Sequence, residues 1–389
     1  MASARHLADM HLALNGYFLN QPTTGTGQYT YHLLRELQDL WDGDISVIIP
    51  GNETTARPEG FDRCKFLIAK PPWHGGMGKV WFEYAAVAKA AQAAGADVLH
   101  VPYFGPPIGS NVPIVVTIHD LLQLVVPSLK GGPLVRLYNQ FAILGARHAD
   151  FLLADSEYTQ RDVERVLRVP STQVQTVYLA CESRFNPESA VGEQERLASR
   201  YGLEGEYLLY TGGLDLRKNV ATLIRAYARS GVATPLAIAG ATRSRSRQFP
   251  DLQAVAQAEG VIDRVRFLGW VEEDDKPALY RHCLAFVFPS TNEGFGLTPL
   301  EAMACGAPVL CSNASSLPEV VGDAAVTFDP HDVPALADLI RSVVQDGELR
   351  ARLSAQGPVQ AQRFSWRQTA EQTVEAYHRA IAVFHGTAA

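Results

Sequence analysis

Along this chain, short and nearly continuous apolar runs alternate with stretches whose apolar residues recur every three or four positions. The runs are HLALN near residue 11, ISVII at 45, DVLHV at 97, PIVVTI at 113 and FLLA at 151. A second series follows with YLLYT at 207, PLAIA at 235, VRFLG at 265, AFVFP at 285, PVLCS at 308 and AVTF at 325. Such runs predict strands buried on both faces, the mark of a parallel sheet covered by helices. After the first run, Leu33, Leu34, Leu37, Leu40 and Trp41 share one face of a predicted helix. Near 182–200 the pattern lapses into polar, turn-rich ESRFNPESAVGEQER, which divides the two series. The fold class is therefore α/β, with two doubly wound, Rossmann-like domains at 1–183 and 184–371. Ser365 and Gln368 fit a capping box that opens a last helix reaching about Phe384.

A chain of 389 residues suits two such domains of about 150–200 residues each. The net charge of -7 argues against nucleic acid as a general partner, since phosphate binding needs a basic surface. Five cysteines (Cys64, Cys181, Cys283, Cys305, Cys311) without a CxxC pair read as reduced thiols, with no zinc spacing. Residues 1–16 show no apolar core of a secretory signal. The apolar stretch 113–127 is broken by His119-Asp120, too short for a bilayer span. A cytoplasmic protein is expected, with peripheral contact at the inner membrane face left open. The Arg243–Arg247 segment, within TRSRSRQ, reads either as a solvated loop or as a contact for an anionic acceptor or lipid. Nothing in the pattern speaks to oligomeric state.

Three segments carry candidate chemistry. Gly25-Thr-Gly27 follows the first strand and precedes a helix expected near Tyr29, where backbone amides and the helix start favour an anion. In YTGGLDLRKN, a buried strand ends at Gly212-Gly213, and Arg217-Lys218 precede a helix; two cations there fit a diphosphate. In AFVFPSTNEGFGLTPLEAMACGAPV, a loop holds Glu293-Gly294-Phe295-Gly296, and a helix is expected to start at Thr298-Pro299. Amides of Gly296, Leu297 and Thr298 would face whatever lies before that helix. Glu293 and Glu301 stand eight residues apart and can flank one polyhydroxy ligand. Glu301 has a second reading, as the N3 residue of a capping box begun by Thr298. Asp42-Gly-Asp44 reads as an ordinary turn rather than a metal site.

The spaced pair Glu293 and Glu301 resembles the Glu-x7-Glu signature of retaining glycosyltransferases of the GT-B fold. EGFGLTPLEAMACGAPV resembles glycosyltransferase family four, and so do GTGQYTYHLLREL, VVTIHDL, ADSEYTQRDV, YTGGLDLRKN and SLPEVVGDAA, over most of the chain. The resemblance implies two facing Rossmann-like domains, with the last helix (372–389) crossing back to the acceptor-binding N-terminal one. It implies that Arg217 and Lys218 hold a donor diphosphate, Glu301 the ribose and Glu293 hydroxyls of the transferred sugar. Gly25, Gly27 and Gly213 would lie by the phosphates, His119 by the sugar with Asp120 shaping the site, and the base near Trp270 and Val271. Gly294, Phe295, Gly296, Leu297 and Thr298 complete the implied donor set.

The expected activity is hexosyl transfer with retention, without metal or other cofactor, from a nucleotide sugar to an acceptor the chain does not name. His119-Asp120 and the FSW segment at 364–366 lean toward GDP-mannose as donor. A UDP-sugar-dependent transferase, or a catalytically silent protein that binds a nucleotide sugar, are the alternatives. One departure is Thr26, which stands where many relatives carry a further glycine.

Overall fold

The computed structural model describes residues 10–21, 24–52, 55, 57–73, 75–126, 131–240 and 248–387. The basic segment 242–247 and the first nine residues lie outside them, so the readings placed there have no structural counterpart.

The chain forms two compact units, Met1–Leu179 with Trp366–Ala389, and Ala180–Ser365. In the first, β1 (Leu12–Asn15), β2 (Ile45–Pro50), β3 (Cys64–Ala69), β4 (Val98–Val101), β5 (Ile114–Ile118), β6 (Phe151–Ala154) and β7 (Val174–Thr176) make one sheet. Its order is β3-β2-β1-β4-β5-β6-β7, and every pairing is parallel. In the second, β8 (Leu208–Thr211), β9 (Leu236–Ala239), β10 (Val265–Gly269), β11 (Ala285–Phe288), β12 (Val309–Ser312) and β13 (Val326–Phe328) run β10-β9-β8-β11-β12-β13, again all parallel.

Each sheet therefore reverses its winding direction once, between β1 and β4 and between β8 and β11. At such a switch point the connections leave to opposite sides and the carboxyl ends of the strands stay open, the usual ligand position in doubly wound sheets. The expected α/β architecture holds. Two strands absent from the sequence reading, β3 and β7, are edge strands: β3 is largely half-buried and β7 has three residues.

The last helix, Trp366–Phe384, packs on the first unit against the helix Gly25–Leu40 and against β4, β5 and β6. Polar side chains fix it there. Tyr377 Oη meets His100 Nδ1 at 2.8 Å, and His100 Nε2 meets Thr117 Oγ1 at 2.9 Å. Thr117 Oγ1 in turn meets Tyr29 Oη at 2.9 Å. All four residues are buried, and burial pushes the His100 imidazole down to about 3, so it stays neutral. A closed chain of buried hydrogen bonds leaves each member costly to remove.

Tyr377→Phe deletes the hydroxyl that serves His100 and strands a buried ring nitrogen. The variant should lose about 1–3 kcal/mol of stability, read by chemical denaturation. Wild-type denaturation would show that the network does not anchor the helix.

Candidate active site

In the first unit the functional side chains cluster beyond the carboxyl ends of β1, β4, β5 and β6. The helix expected near Tyr29 begins at Gly25 instead, because Thr24 caps it: its Oγ1 accepts from the Gly27 N–H at 3.0 Å. Tyr29 lies inside the second turn and is buried. The cap changes the meaning of the glycines. The Gly27 amide is engaged by Thr24, and a Cβ at Gly27 would fall 2.0 Å from the Gln21 carbonyl oxygen. Gly27 is thus required for close packing of helix on loop. At Gly25, exposed at the helix start, a Cβ would meet nothing within 4 Å.

His119 follows β5. Its Nδ1 lies 2.7 Å from Asp155 Oδ2 and its Nε2 lies 3.1 Å from the Pro102 carbonyl oxygen. Burial works against a charged ring, but Asp155 and Asp120 outweigh it and raise the His119 pKa. Asp120 Oδ1 accepts from the Leu122 N–H at 3.0 Å and so shapes the turn behind His119. Asp155 was missed in the sequence. The signal was there in ADSEY, but only strand register makes it legible. Ile118 pairs with Ala154, so the next residues, His119 and Asp155, leave the sheet side by side.

In the second unit the residues flank the β8/β11 switch point. After β8, Asp215 Oδ1 accepts from the Arg217 N–H at 3.1 Å and caps the single turn Leu216–Lys218. Asn219 then adopts a left-handed conformation, φ 58°, and its side chain donates to the carbonyls of Pro289 and Pro330. This brings Arg217 and Lys218 against the loop after β11. Arg217 Nη1 donates to Glu293 Oε2 and to the Asn292 carbonyl, both at 2.8 Å, and Lys218 Nζ donates to Glu293 Oε1 at 2.6 Å. Lys218 Nζ also sits 5.1 Å from the centre of the Phe288 ring. Burial pushes the Glu293 carboxyl up, but Lys218 and Arg217 more than reverse this and hold it below its usual range.

Gly296 caps the next helix, Leu297–Ala304, at φ 127°, a conformation open to glycine and strained for other residues. Pro299 is consequently the third helical residue and Glu301 the fifth. The capping box expected from Thr298 to Glu301 does not form. The Glu301 carboxylate points inward instead and accepts from Tyr280 Oη at 3.1 Å, while Tyr280 Oη meets Thr211 Oγ1 at 2.7 Å. Burial raises the Glu301 pKa to about 7. Of the remaining candidates, Phe295 is buried with its ring against Phe364, and Val271 is buried. Trp270 is half exposed just beyond β10, and a Cβ at Gly213 would crowd Asp215 Oδ2 at 3.1 Å, while the Gly213 carbonyl accepts from Tyr210 Oη at 2.5 Å. Gly294, Leu297 and Thr298 are intermediate in exposure. Asp42 and Asp44 lie in the link between the helix Gly25–Leu40 and β2.

The structure thus bonds Arg217, Lys218 and Glu293 into one cluster and sets Glu301 apart on Tyr280. His119 joins Asp155 in the other unit. Two cations, Arg217 and Lys218, are thereby held beside a helix start, Glu293 bonding both and Asp215 lying 3.6 Å from Arg217.

Two family profiles match the chain: Glycosyl transferases group 1 over residues 193–360, and Glycosyltransferase Family 4 over residues 23–182. The O-antigen chain mannosyltransferase B of Escherichia coli is 36% identical over 268 residues, 68% of this chain and 69% of that protein. The serotype-specific mannosyltransferase WbdA of Escherichia coli is 32% identical over 280 residues, 70% of this chain, which spans 34% of WbdA. Among solved structures, sucrose-phosphate synthase from Thermosynechococcus elongatus has the same fold. It aligns with a TM-score of 0.75 at 19% identity, over 96% of this chain and 99% of that one.

Glu301 makes the site sensitive to pH. Its folded pKa is raised, so its contribution to stability is present below the unfolded carboxyl value and is lost as pH rises through about 7. Glu301→Gln keeps the shape without the titration. Wild-type stability should therefore fall relative to this variant as pH rises from about 4.5 to about 7, measured by denaturation at each pH. A constant difference would mean that Glu301 titrates as an ordinary exposed carboxyl.

Proposed function

The chain belongs to the group 1, family 4 glycosyltransferases and is a hexosyltransferase; from there we propose that it transfers mannose from GDP-mannose, with retention and without metal, to a growing glycan. The mannosyl group and the glycan acceptor rest on the printed activities of the two Escherichia coli relatives. The guanine nucleotide rests on the sequence alone. The observation that carries the reading is the Arg217–Lys218 pair held on Glu293 at the β8/β11 switch point. These cations receive the diphosphate, Glu301 the ribose and His119 the sugar.

The chemistry follows from what the carboxylates are free to do. Covalent capture needs an unencumbered nucleophile beneath the anomeric carbon. Glu293 has one oxygen on Arg217 and the other on Lys218, which fits it to hold cations and accept from hydroxyls. The remaining route is a same-face displacement. The anomeric carbon–oxygen bond to the diphosphate breaks while the acceptor oxygen bonds the same face. The acceptor proton passes to the departing diphosphate oxygen. Arg217 and Lys218 stabilise the charge that develops there, the role a metal plays in other transferases.

The first unit carries a feature suited to a lipid-linked acceptor. The helix Pro133–His148 turns Leu134, Leu137, Phe141 and Leu144 outward and buries Asn139, Ala142, Gly145 and Ala146. Large apolar residues outside and small ones inside reverse the usual arrangement. Tyr84, beyond the helix Gly75–Trp81 with its exposed Met77 and Val80, packs its ring on Phe141. The charged residues of these two helices are Lys79, which pairs with Glu83 at 3.6 Å, Arg136 and Arg147, with His148 at the end of the second. An apolar face bordered by cations fits an anionic bilayer, whereas a second copy would set like charges together.

Product NMR should show a retained anomeric configuration, and EDTA should leave the rate unchanged. Inversion or loss of activity in EDTA would each remove part of the mechanism. In thermal shifts, GDP should stabilise the protein more than UDP, ADP or TDP; a UDP preference would reassign the donor.

Leu137→Ser with Phe141→Ser should reduce co-sedimentation with phosphatidylglycerol vesicles several-fold and leave turnover on a soluble acceptor intact. Loss of a dimer with vesicle binding unchanged would assign the face to self-association instead.

A further inference from the structure

We propose that Asp155 is a positioning residue that keeps His119 doubly protonated, so that the first unit presents a fixed imidazolium to the donor sugar. The inference rests on the reading of His119 as a donor neighbour and adds the state in which the ring works. The geometry carries it. A peptide carbonyl only accepts, so the 3.1 Å contact to Pro102 requires a proton on Nε2. An ionised carboxylate only accepts, so the 2.7 Å contact to Asp155 requires a proton on Nδ1. Both contacts are met together by the imidazolium.

The other arrangement puts the proton on Asp155 and leaves the ring neutral. The surroundings decide against it. Facing the ring are Asp155 from β6 and Asp120 from its own loop, both acidic. Tyr29, from the helix Gly25–Leu40, stands edge to face at 4.9 Å and is held un-ionised by burial. His100, from β4, is neutral. Among the described residues, two carboxylates and no other cation act on the ring, which favours positive charge on it. Burial holds the Asp155 carboxyl above its usual range, and the His119 charge offsets this only in part. The dyad is also a product of the fold: the β5–β6 register places the two residues next to each other, and the Pro102 carbonyl arrives at the end of β4.

The charge has a consequence for the reaction. His119 contributes as a cation below its raised pKa and loses that contribution as pH rises through it. Asp155→Asn keeps the size and an acceptor oxygen but removes the charge. His119 should then titrate about one unit lower or more.

The test uses the full chain labelled at histidine nitrogens, with His119→Gln identifying the resonance. In the wild type, both His119 nitrogens should carry protons at neutral pH, and the ring should titrate above an ordinary histidine. In Asp155→Asn it should titrate below. A neutral His119 at pH 7 in the wild type, or an unchanged titration in the variant, overturns the proposal. The wild-type spectrum decides this even if the variant does not fold. Turnover separates the proposal from the reading beneath it. The alkaline limb of kcat/KM should move to lower pH in Asp155→Asn, and activity should recover near pH 6, which a purely structural defect would not allow. A shifted titration with an unmoved kcat/KM profile leaves the dyad standing and takes His119 away from the donor.

Discussion

A carboxylate withdrawn from water is costly unless a cation or several donors meet it, and this protein builds its chemistry on that constraint. Glu293 and Asp155 both stand beyond the carboxyl end of a parallel strand, and each is met by cationic or cationisable groups: Arg217 and Lys218 in one unit, His119 in the other. The bond works in both directions. The cations make the buried carboxylate tolerable, and the carboxylate removes the freedom of long or rotatable cationic side chains. What results is positive charge fixed in position before any ligand arrives, the preorganisation that stabilises a developing negative charge.

Strand ends suit this arrangement because of parallel pairing. Residues just past paired positions emerge together, so a carboxylate from one strand and a cation from its neighbour need no long loop to meet. β5 and β6 do this directly through His119 and Asp155. β8 and β11 do it across the switch point, where the capped turn at Asp215 and left-handed Asn219 bring Arg217 and Lys218 to the loop that carries Glu293. The backbone of that loop is tied down as well. The Glu293 N–H donates to Ser315 Oγ, and Ser316 Oγ donates to the carbonyls of Glu293 and Phe295.

This logic explains what could and could not be seen in the sequence. The buried strands were legible because residues covered on both faces are apolar without interruption. β3 was not, because an edge strand with half-exposed positions such as Lys65 loses that pattern. Arg217, Lys218 and Glu293 stand out in the sequence as polar residues just past such strands, and Glu301 as a carboxylate in the helix that follows. Asp155 occupied an equivalent place but needed the register of a neighbour to acquire a partner. The helix starts were misplaced for a shared reason. At Thr24 and at Gly296 the cap lies upstream of the residues whose spacing suggested one, and tertiary contacts choose between such alternatives. Gly27 read as an anion-binding glycine because sequence does not distinguish a bare amide from a tight helix–loop contact.

Glu301 is the exception to the compensated pattern, and the exception is informative. Lys276 and Arg184 favour its charge without outweighing burial, and the neutral hydroxyl of Tyr280 is its hydrogen-bond partner. A carboxyl left in this condition holds its proton toward neutral pH. It would be an unfavourable choice for a helix cap, since a glutamine at an exposed position would cap without the burial cost. It is a suitable choice for a group that must gain hydrogen-bond donors from outside. Two vicinal hydroxyls, as on the proposed ribose, supply donors that favour the ionised form, so binding them and releasing the proton become one event. The two glutamates of the spaced pair thus divide the work. Glu293 is bonded to two cations, while Glu301 keeps a neutral partner and so is the carboxyl whose charge the proposed ribose would shift.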